Sequence, residues 1–140
     1  MINNQAPNYK QVPIIKHQIT NKTPGYFNLE DRTFNFAKRC RDFVKSLPRT
    51  ISHLEYGKQL IRSSGSQASN YIEANESLSK KDFFHRIKIC RKEAKESRLW
   101  LRLCEVGDSK ILQSEQQLLI QEAIELTKIF SAISAKLVVS

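Results

Sequence analysis

The sequence has few residues that break helices and few that cross-link small folds. It contains 4 glycines, 4 prolines and 3 cysteines in 140 residues, and all four prolines lie outside the long periodic stretches. This scarcity favours long helices. The cysteines lie far apart in predicted helices and form no Cys-x-x-Cys pair, which argues against a disulfide framework and against a zinc site.

Long apolar runs are also missing. No stretch approaches the roughly 18 consecutive apolar residues that a membrane span requires, and the first residues lack the pattern of a secretory signal. We therefore expect a cytoplasmic protein with no membrane partner. A chain of this length has room for one domain. Residues 1–27 are polar, carry three lysines and no acid, and predict a flexible tail before a domain at 28–140.

The first half of this domain contains two predicted helices. The first begins at Asn28, which suits a helix cap, and ends before Pro48. The second opens on Ser52 and Glu55, which have the spacing of a capping box. The small residues at 63–66 predict either close approach of a neighbouring helix or a kink. The predicted buried face of this second helix is Leu54, Gly57, Ile61, Ser64, Ala68, Tyr71 and Asn75.

Two further helices are predicted in the second half. The third starts at the cap Ser79 and runs to about Cys104, with Gly107 as its stop, and its apolar positions alternate in steps of four and three. The fourth covers roughly 113–137. Four long helices with short connections predict an all-α protein, an antiparallel up-down-up-down four-helix bundle.

Positive charge is concentrated on the third helix. The chain has 23 Lys and Arg against 14 Asp and Glu, a net charge of +9, which favours anionic partners. Six basic residues of this helix recur at three- and four-residue spacing and so share one face. These six, here called the basic ridge, are Lys81, Lys88, Arg91, Lys95, Arg98 and Arg102.

The first helix adds the basic residues Lys38, Arg41 and Lys45. We expect the first and third helices to form a surface that binds the phosphate backbone of RNA or DNA with little sequence specificity. The alternative is a solvated charged face whose neighbouring helices supply the acids.

A second line of residues lies on another side of the third helix. A monomeric bundle needs one apolar face per helix, so a surplus predicts a further covered surface, with a broad core face as the alternative. We expect contacts between copies of the chain, or the edge of the core, at Ile89, Glu93, Glu96, Trp100 and Leu103.

Catalysis and metal binding have little support in the sequence. Asp82 and His85 are three residues apart, the spacing of one ligand segment in a di-iron bundle. Such bundles need two Glu-x-x-His segments and further inward glutamates. No phosphate-binding glycine loop is present, and serines 63, 64 and 66 lack an evident base. We expect no enzyme activity, no cofactor and no metal.

The segments 59–64, 69–74, 79–83 and 92–101 together resemble the bacterial four-helix bundle family named after proteins encoded by intervening sequences of 23S rRNA genes. The resemblance covers about 27–137; the longer N-terminal tail and Asn75 depart from it. It implies a homo-oligomer, typically a pentamer. It also implies kinship with the more distant accessory variability proteins of diversity-generating retroelements, which bind a reverse transcriptase and RNA.

Two functions follow as expectations. The first is an oligomeric, non-catalytic protein that binds nucleic acid, in one version as an accessory to a nucleic-acid enzyme such as a reverse transcriptase. The second is a structural adaptor that binds another protein through the same oligomer and binds no nucleic acid.

Overall fold

A computed structural model describes residues 28–139, with side chains through Leu137. Four helices follow one another: α1 Leu29–Lys45, α2 Ile51–Asn75, α3 Lys80–Leu103 and α4 Lys110–Val139. No helix within 28–139 is long and apolar enough to cross a membrane. The predicted tail at 1–27 lies outside the described residues.

The helices form an all-α, antiparallel bundle, as predicted. α2 packs against α1 and α3, and α4 packs against the same two helices. α1 and α3 therefore occupy opposite corners of the bundle. Between residues 28 and 139 the structure contains no strand.

Helix ends follow local hydrogen bonds. The Asn28 and Ser79 side chains accept from the backbone N–H three residues on, which confirms both predicted caps. The predicted capping box of α2 is wrong. Thr50 caps that helix, because its Oγ1 accepts from the backbone N–H of His53 at 3.1 Å. Ser52 lies inside the first turn. Gly107 has φ +66°, a conformation that glycine adopts without strain, and it separates α3 from α4.

α1, α3 and α4 each bury one face at helical spacing, and the alternation predicted for α3 is confirmed. α3, for example, buries Phe83, Ile87, Cys90, Ala94, Ser97 and Leu101 in the same four-three alternation. α4 begins at Lys110, three residues before the predicted start, because Ser109 accepts from the backbone N–H groups of Leu112 and Gln113.

The predicted buried face of α2 is wrong in part. Leu54 and Ile61 are exposed by 47% and 45%, although both were expected in the core. The helix instead buries a mixed set: His53, Gly57, Leu60, Ser63, Ser64, Gln67, Tyr71 and Ala74. Small and polar side chains lie here because the neighbouring helices come close.

Close helix packing is visible at two points along α2. Ser63 Oγ lies 2.8 Å from Ser97 Oγ of α3, so the small residues at 63–66 allow close approach as one reading predicted. A Cβ on Gly57 would lie 2.8 Å from Val44 Cγ1 of α1. Any larger residue at 57 would therefore force the Val44 side chain or α1 itself to shift.

Candidate nucleic-acid interface

The basic ridge extends along nearly the whole of α3. A rise of 1.5 Å per residue puts Lys81 and Arg102 about 31 Å apart along the helix axis. Five of its six side chains are exposed and Arg91 is half-buried. The ridge lies beside the core stripe of α3, so its position follows directly from the helical spacing.

The charges of the ridge are not neutralised by acids among the described residues 28–139. None of the six side chains forms an ion pair with a residue between 28 and 139. Lys88 Nζ lies 5.2 Å from the centre of the Phe84 ring, a weak cation–π contact that leaves the charge at the surface. Like charges at helical spacing repel each other, and an anion along the ridge would relieve that repulsion.

The basic residues of α1 lie on a different surface. Lys38, Arg41 and Lys45 are exposed, and Arg41 Nη2 is 2.9 Å from Asp42 Oδ1 beside it. α1 and α3 occupy opposite corners of the bundle, and the core stripe of each helix faces inward. The expectation that both helices share one ridge is thereby corrected: the chain carries two separate basic surfaces.

Two acids of α3 are engaged by α2. Glu93 is buried, and its carboxylate accepts from the Arg62 guanidinium of α2 at 3.3 Å and 3.4 Å. Glu96 accepts from Arg62 at 3.2 Å. The sequence did not predict a role for Arg62, although this residue lies in the family-like segment 59–64. These ion pairs join α2 to α3 on the flank away from the ridge.

The remaining residues of the expected contact line differ in exposure. Trp100 is half-buried and packs on Tyr56 of α2, with ring centroids 6.1 Å apart. Ile89 is half-buried, and Leu103 is 40% exposed. Trp100 therefore lies at the edge of the core, one of the two roles expected for it. Contact with another copy stays a prediction for this line.

Two arginines of α1 hold α4 in place. Arg32 is 1% exposed, with its Nε and Nη2 2.7 Å and 2.9 Å from the carboxylate oxygens of Glu122. Arg39 makes a similar, half-exposed pair with Glu115 at 3.2 Å. The sequence reasoning missed Arg32, even though it directly precedes the core residue Thr33.

His53 links two loops at one end of the bundle. Its Nδ1 is 2.9 Å from the Pro48 carbonyl oxygen, and its Nε2 is 3.2 Å from the Glu105 backbone nitrogen. The Glu105 N–H can only donate, so Nε2 accepts and Nδ1 carries the proton. This arrangement gives His53 a structural role. His85 is exposed, and no group of three metal-ligating side chains occurs among residues 28–139.

The three cysteines are buried and free. Burial raises the pKa of the Cys90 thiol to about 12 and that of Cys104 to about 11, and it also raises the pKa of Cys40. A nucleophilic cysteine needs the opposite shift. These thiols serve as small core side chains.

Comparison with known proteins identifies the family. A profile described as "23S rRNA-intervening sequence protein" matches residues 28–132, most of the chain. The chain belongs to this family. The match begins at Asn28, the cap of α1, and covers the first three helices and most of α4. The resemblance drawn from the sequence segments is thus confirmed.

A solved structure shares the fold. It is a protein of unknown function from the S23 ribosomal protein family of Bacteroides thetaiotaomicron VPI-5482, 26% identical to this chain, with a TM-score of 0.63. The similarity covers 76% of this chain and 98% of that one. Curated proteins offer no match. This structure supports the fold, and its own function is unknown.

Proposed function

We propose that this chain is a non-catalytic, self-associating protein that binds the phosphate backbone of RNA or DNA through the basic ridge of α3. One observation carries the proposal: six basic side chains share a face about 31 Å long, and none has an ion-pair partner among residues 28–139. Solvated lysines and arginines at that spacing can each approach a phosphate and displace its counterion.

Binding strength should depend steeply on salt. If the ridge neutralises six phosphates, log K falls with log salt at a slope of about −5 on duplex and about −4 on a single strand. The experiment measures binding of the full chain to labelled single-stranded RNA and to duplex DNA across a salt series. It uses the wild type and a variant with Lys88, Arg91, Lys95 and Arg98 changed to glutamate.

A matched control changes four exposed basic residues elsewhere to glutamate: Arg49, Lys110, Lys128 and Lys136. Both variants lose the same total charge, so a non-specific effect of net charge would weaken both equally. We expect the ridge variant to lose binding and the control to retain most of it. Equal loss in both variants, or no binding by the wild type at low salt, would contradict the proposal.

The second basic surface needs its own variant. Changing Lys38, Arg41 and Lys45 to glutamate tests whether α1 assists the ridge, as the sequence reasoning expected. Because this surface is separate from α3, its loss should lower the salt slope by about 3 at most and should leave the ridge contacts intact.

An adaptor function is favoured by a different observation. Large apolar side chains are exposed at the ends of the helices, with Ile51 at 84%, Leu78 at 99% and Ile111 at 82%. Such residues suit an apolar contact with another protein. A contact of this kind would respond weakly to salt, so the same salt series separates the two functions.

A further inference from the structure

The basic ridge lies next to one side of α4. α3 packs against α2 and α4, and the contacts of Glu93 and Trp100 with α2 occupy one flank of α3, so the ridge lies toward α4. On α4, the Gln116 side chain donates to the carbonyl oxygens of Leu101 and Cys104, at 2.8 Å each, and so marks the side of α4 that faces α3. The ridge and this side of α4 therefore adjoin along the outer groove between the two helices.

Six uncharged residues run along this side of α4. They begin three residues before Gln116 and include the position four residues after it, so they share its side of the helix. All six are half-buried or exposed, and they recur in steps of four and three. We call them the α4 track: Gln113, Gln117, Ile120, Ile124, Thr127 and Ser131. The ridge thus borders amides, hydroxyls and two isoleucines, with no charge among them.

The acids of α4 lie on another side of the helix. Glu115 and Glu122 pair with two arginines of α1, at 3.2 Å and 2.7 Å. Glu125 follows Glu122 by three residues, which places it on the same side, and it accepts from the Gln121 side chain at 3.0 Å. α4 has no further acid. The positive field of the ridge therefore extends across the α3–α4 groove without opposition from α4.

Among residues 28–139, the surface formed by the ridge and the α4 track has no exposed aromatic ring on which a base could stack. Phe84 lies within the ridge, but its ring is half-buried and Lys88 Nζ lies 5.2 Å from the ring centre. Proteins that bind single strands combine cations with exposed aromatic rings. This surface, here called the α3–α4 face, therefore suits a duplex, whose bases are already stacked.

The width of the α3–α4 face favours one form of duplex. Packed helices have axes about 8–10 Å apart and are each about 10–12 Å across, so the face is about 20 Å wide. The major groove of B-form DNA is about 12 Å wide and admits a single helix. The minor groove of an A-form RNA duplex is wide and shallow, and it displays 2′-hydroxyl groups beside the phosphates.

We propose that the α3–α4 face binds an A-form RNA duplex across its minor groove. The basic ridge lies along the phosphates of one strand, and Gln117 and Ser131 of the α4 track contact 2′-hydroxyl groups in the groove. An amide and a hydroxyl both pair with a 2′-hydroxyl, a group that DNA lacks. The inference rests on the proposed function: it names the nucleic acid that the ridge binds and adds the α4 residues that select it.

Matched probes test the class of nucleic acid. The full chain is titrated with an RNA duplex of about 16 base pairs, with a DNA duplex of the same sequence and with one RNA strand alone, each across a salt series. We expect the RNA duplex to bind at least about tenfold tighter than either other probe at the same salt. The two duplexes should give similar salt slopes, because the ridge contacts phosphates in both.

A variant of the α4 track tests the hydroxyl contacts. Gln117→Ala combined with Ser131→Ala should lower affinity for the RNA duplex about tenfold, because two hydrogen bonds are lost. The salt slope and the affinity for duplex DNA should not change, since no charge is altered. The control variant, Gln59→Ala combined with Ser69→Ala, changes the same residue types at exposed positions of α2 and should bind like the wild type. Circular dichroism checks the fold of both variants.

The outcomes separate this inference from the proposed function. Equal affinity for the two duplexes, tighter binding of the single strand, or wild-type affinity of the α4-track variant for the RNA duplex overturns the inference. The proposed function stands in each of these cases if the ridge variant still loses binding. A wild-type chain that binds no probe at low salt, or a ridge variant that binds as well as the wild type, overturns both.

Discussion

The two flanks of α3 carry charges that look alike in the sequence and behave differently in the fold. On the flank facing α2, the acids Glu93 and Glu96 are held by Arg62, and Trp100 is packed on Tyr56. On the other flank, the six charges of the basic ridge have no ion-pair partner among residues 28–139. The first flank stabilises the bundle, and the second is available to a ligand.

This difference shows what separates a structural charge from a binding charge. Both flanks are polar and follow helical spacing, so the spacing alone predicts that each row of residues lies on the surface of α3. Pairing across helices decides which surface is already satisfied. A buried carboxylate such as Glu93 depends on its partner, because removing that partner would leave an uncompensated buried charge, whereas an unpartnered exposed row contributes mainly to the long-range field of the protein.

The largest effect on the α2-facing flank should come from Trp100→Ala. Truncation removes the ring that packs on Tyr56 and leaves a partly open cavity. We expect the free energy of unfolding to fall by about 3 kcal/mol, the low end for tryptophan because the side chain is half-buried. Urea denaturation measures it. Leu99→Ala, on the exposed side of α3, is the control and should cost less than about 1 kcal/mol.

A smaller loss should follow Arg62→Met, which keeps the apolar stem and removes the charge. It leaves the buried Glu93 carboxylate without its ion-pair partner. Because the Arg62 side chain is half exposed and its pairs are screened, we expect a loss of about 1–2 kcal/mol, well below the value for a fully buried pair. Glu93→Gln in the same background should recover part of that loss. If Arg62→Met is neutral, the flank is not stabilised by this network.

The ridge should respond with the opposite sign. Changing Lys95 and Arg98 to glutamine removes like-charge repulsion at helical spacing, so the free energy of unfolding should rise by a few tenths of a kcal/mol. The midpoint of thermal unfolding measures this change at low salt, and added salt should shrink it. A clear loss of stability would show that the ridge charges have structural partners, which would weaken the contrast between the two flanks.

The smallest expected signal is chemical. Buried thiols with raised pKa should react slowly with a thiol reagent at pH 8 in the native protein and rapidly once it is unfolded. The raised thiol pKa values also make stability depend on pH. The contribution of these thiols to the free energy of unfolding is complete below the unfolded pKa of about 9, and it declines as pH rises toward the folded pKa values. Fast labelling of the native chain would contradict the burial of these cysteines.

Much of the fold was readable from the sequence, and α2 shows why part of it was not. The stripes of α1, α3 and α4 are rich in large apolar residues, so spacing predicts their buried faces. α2 packs against α1 and α3 through small and polar groups. Ser63 lies 2.8 Å from Ser97, and the Gln67 side-chain N–H donates to the Thr33 carbonyl, so polar groups link these helices within the core. Because polar residues lie inside and Ile61 lies outside, the spacing of the apolar residues predicts the wrong buried face for α2.

The candidate site was predicted in part for a similar reason. The ridge positions depend only on helical spacing along α3, and the structure places them on one outward face. Their separation from Lys38 and Lys45 depends on which helices are neighbours, and that is a property of the assembled bundle. Arg62 and Arg32 were missed because ion pairs between distant segments leave no local pattern.

The sequence by itself determined four helices, most of their buried faces and a row of six basic residues, because each of these depends on spacing along one chain segment. Only the tertiary structure decided which charges are neutralised, which basic surfaces are separate and which side of α2 stays open. Those properties arise from the distances between helices, because a guanidinium is neutralised only where a carboxylate of another helix lies about 3 Å away.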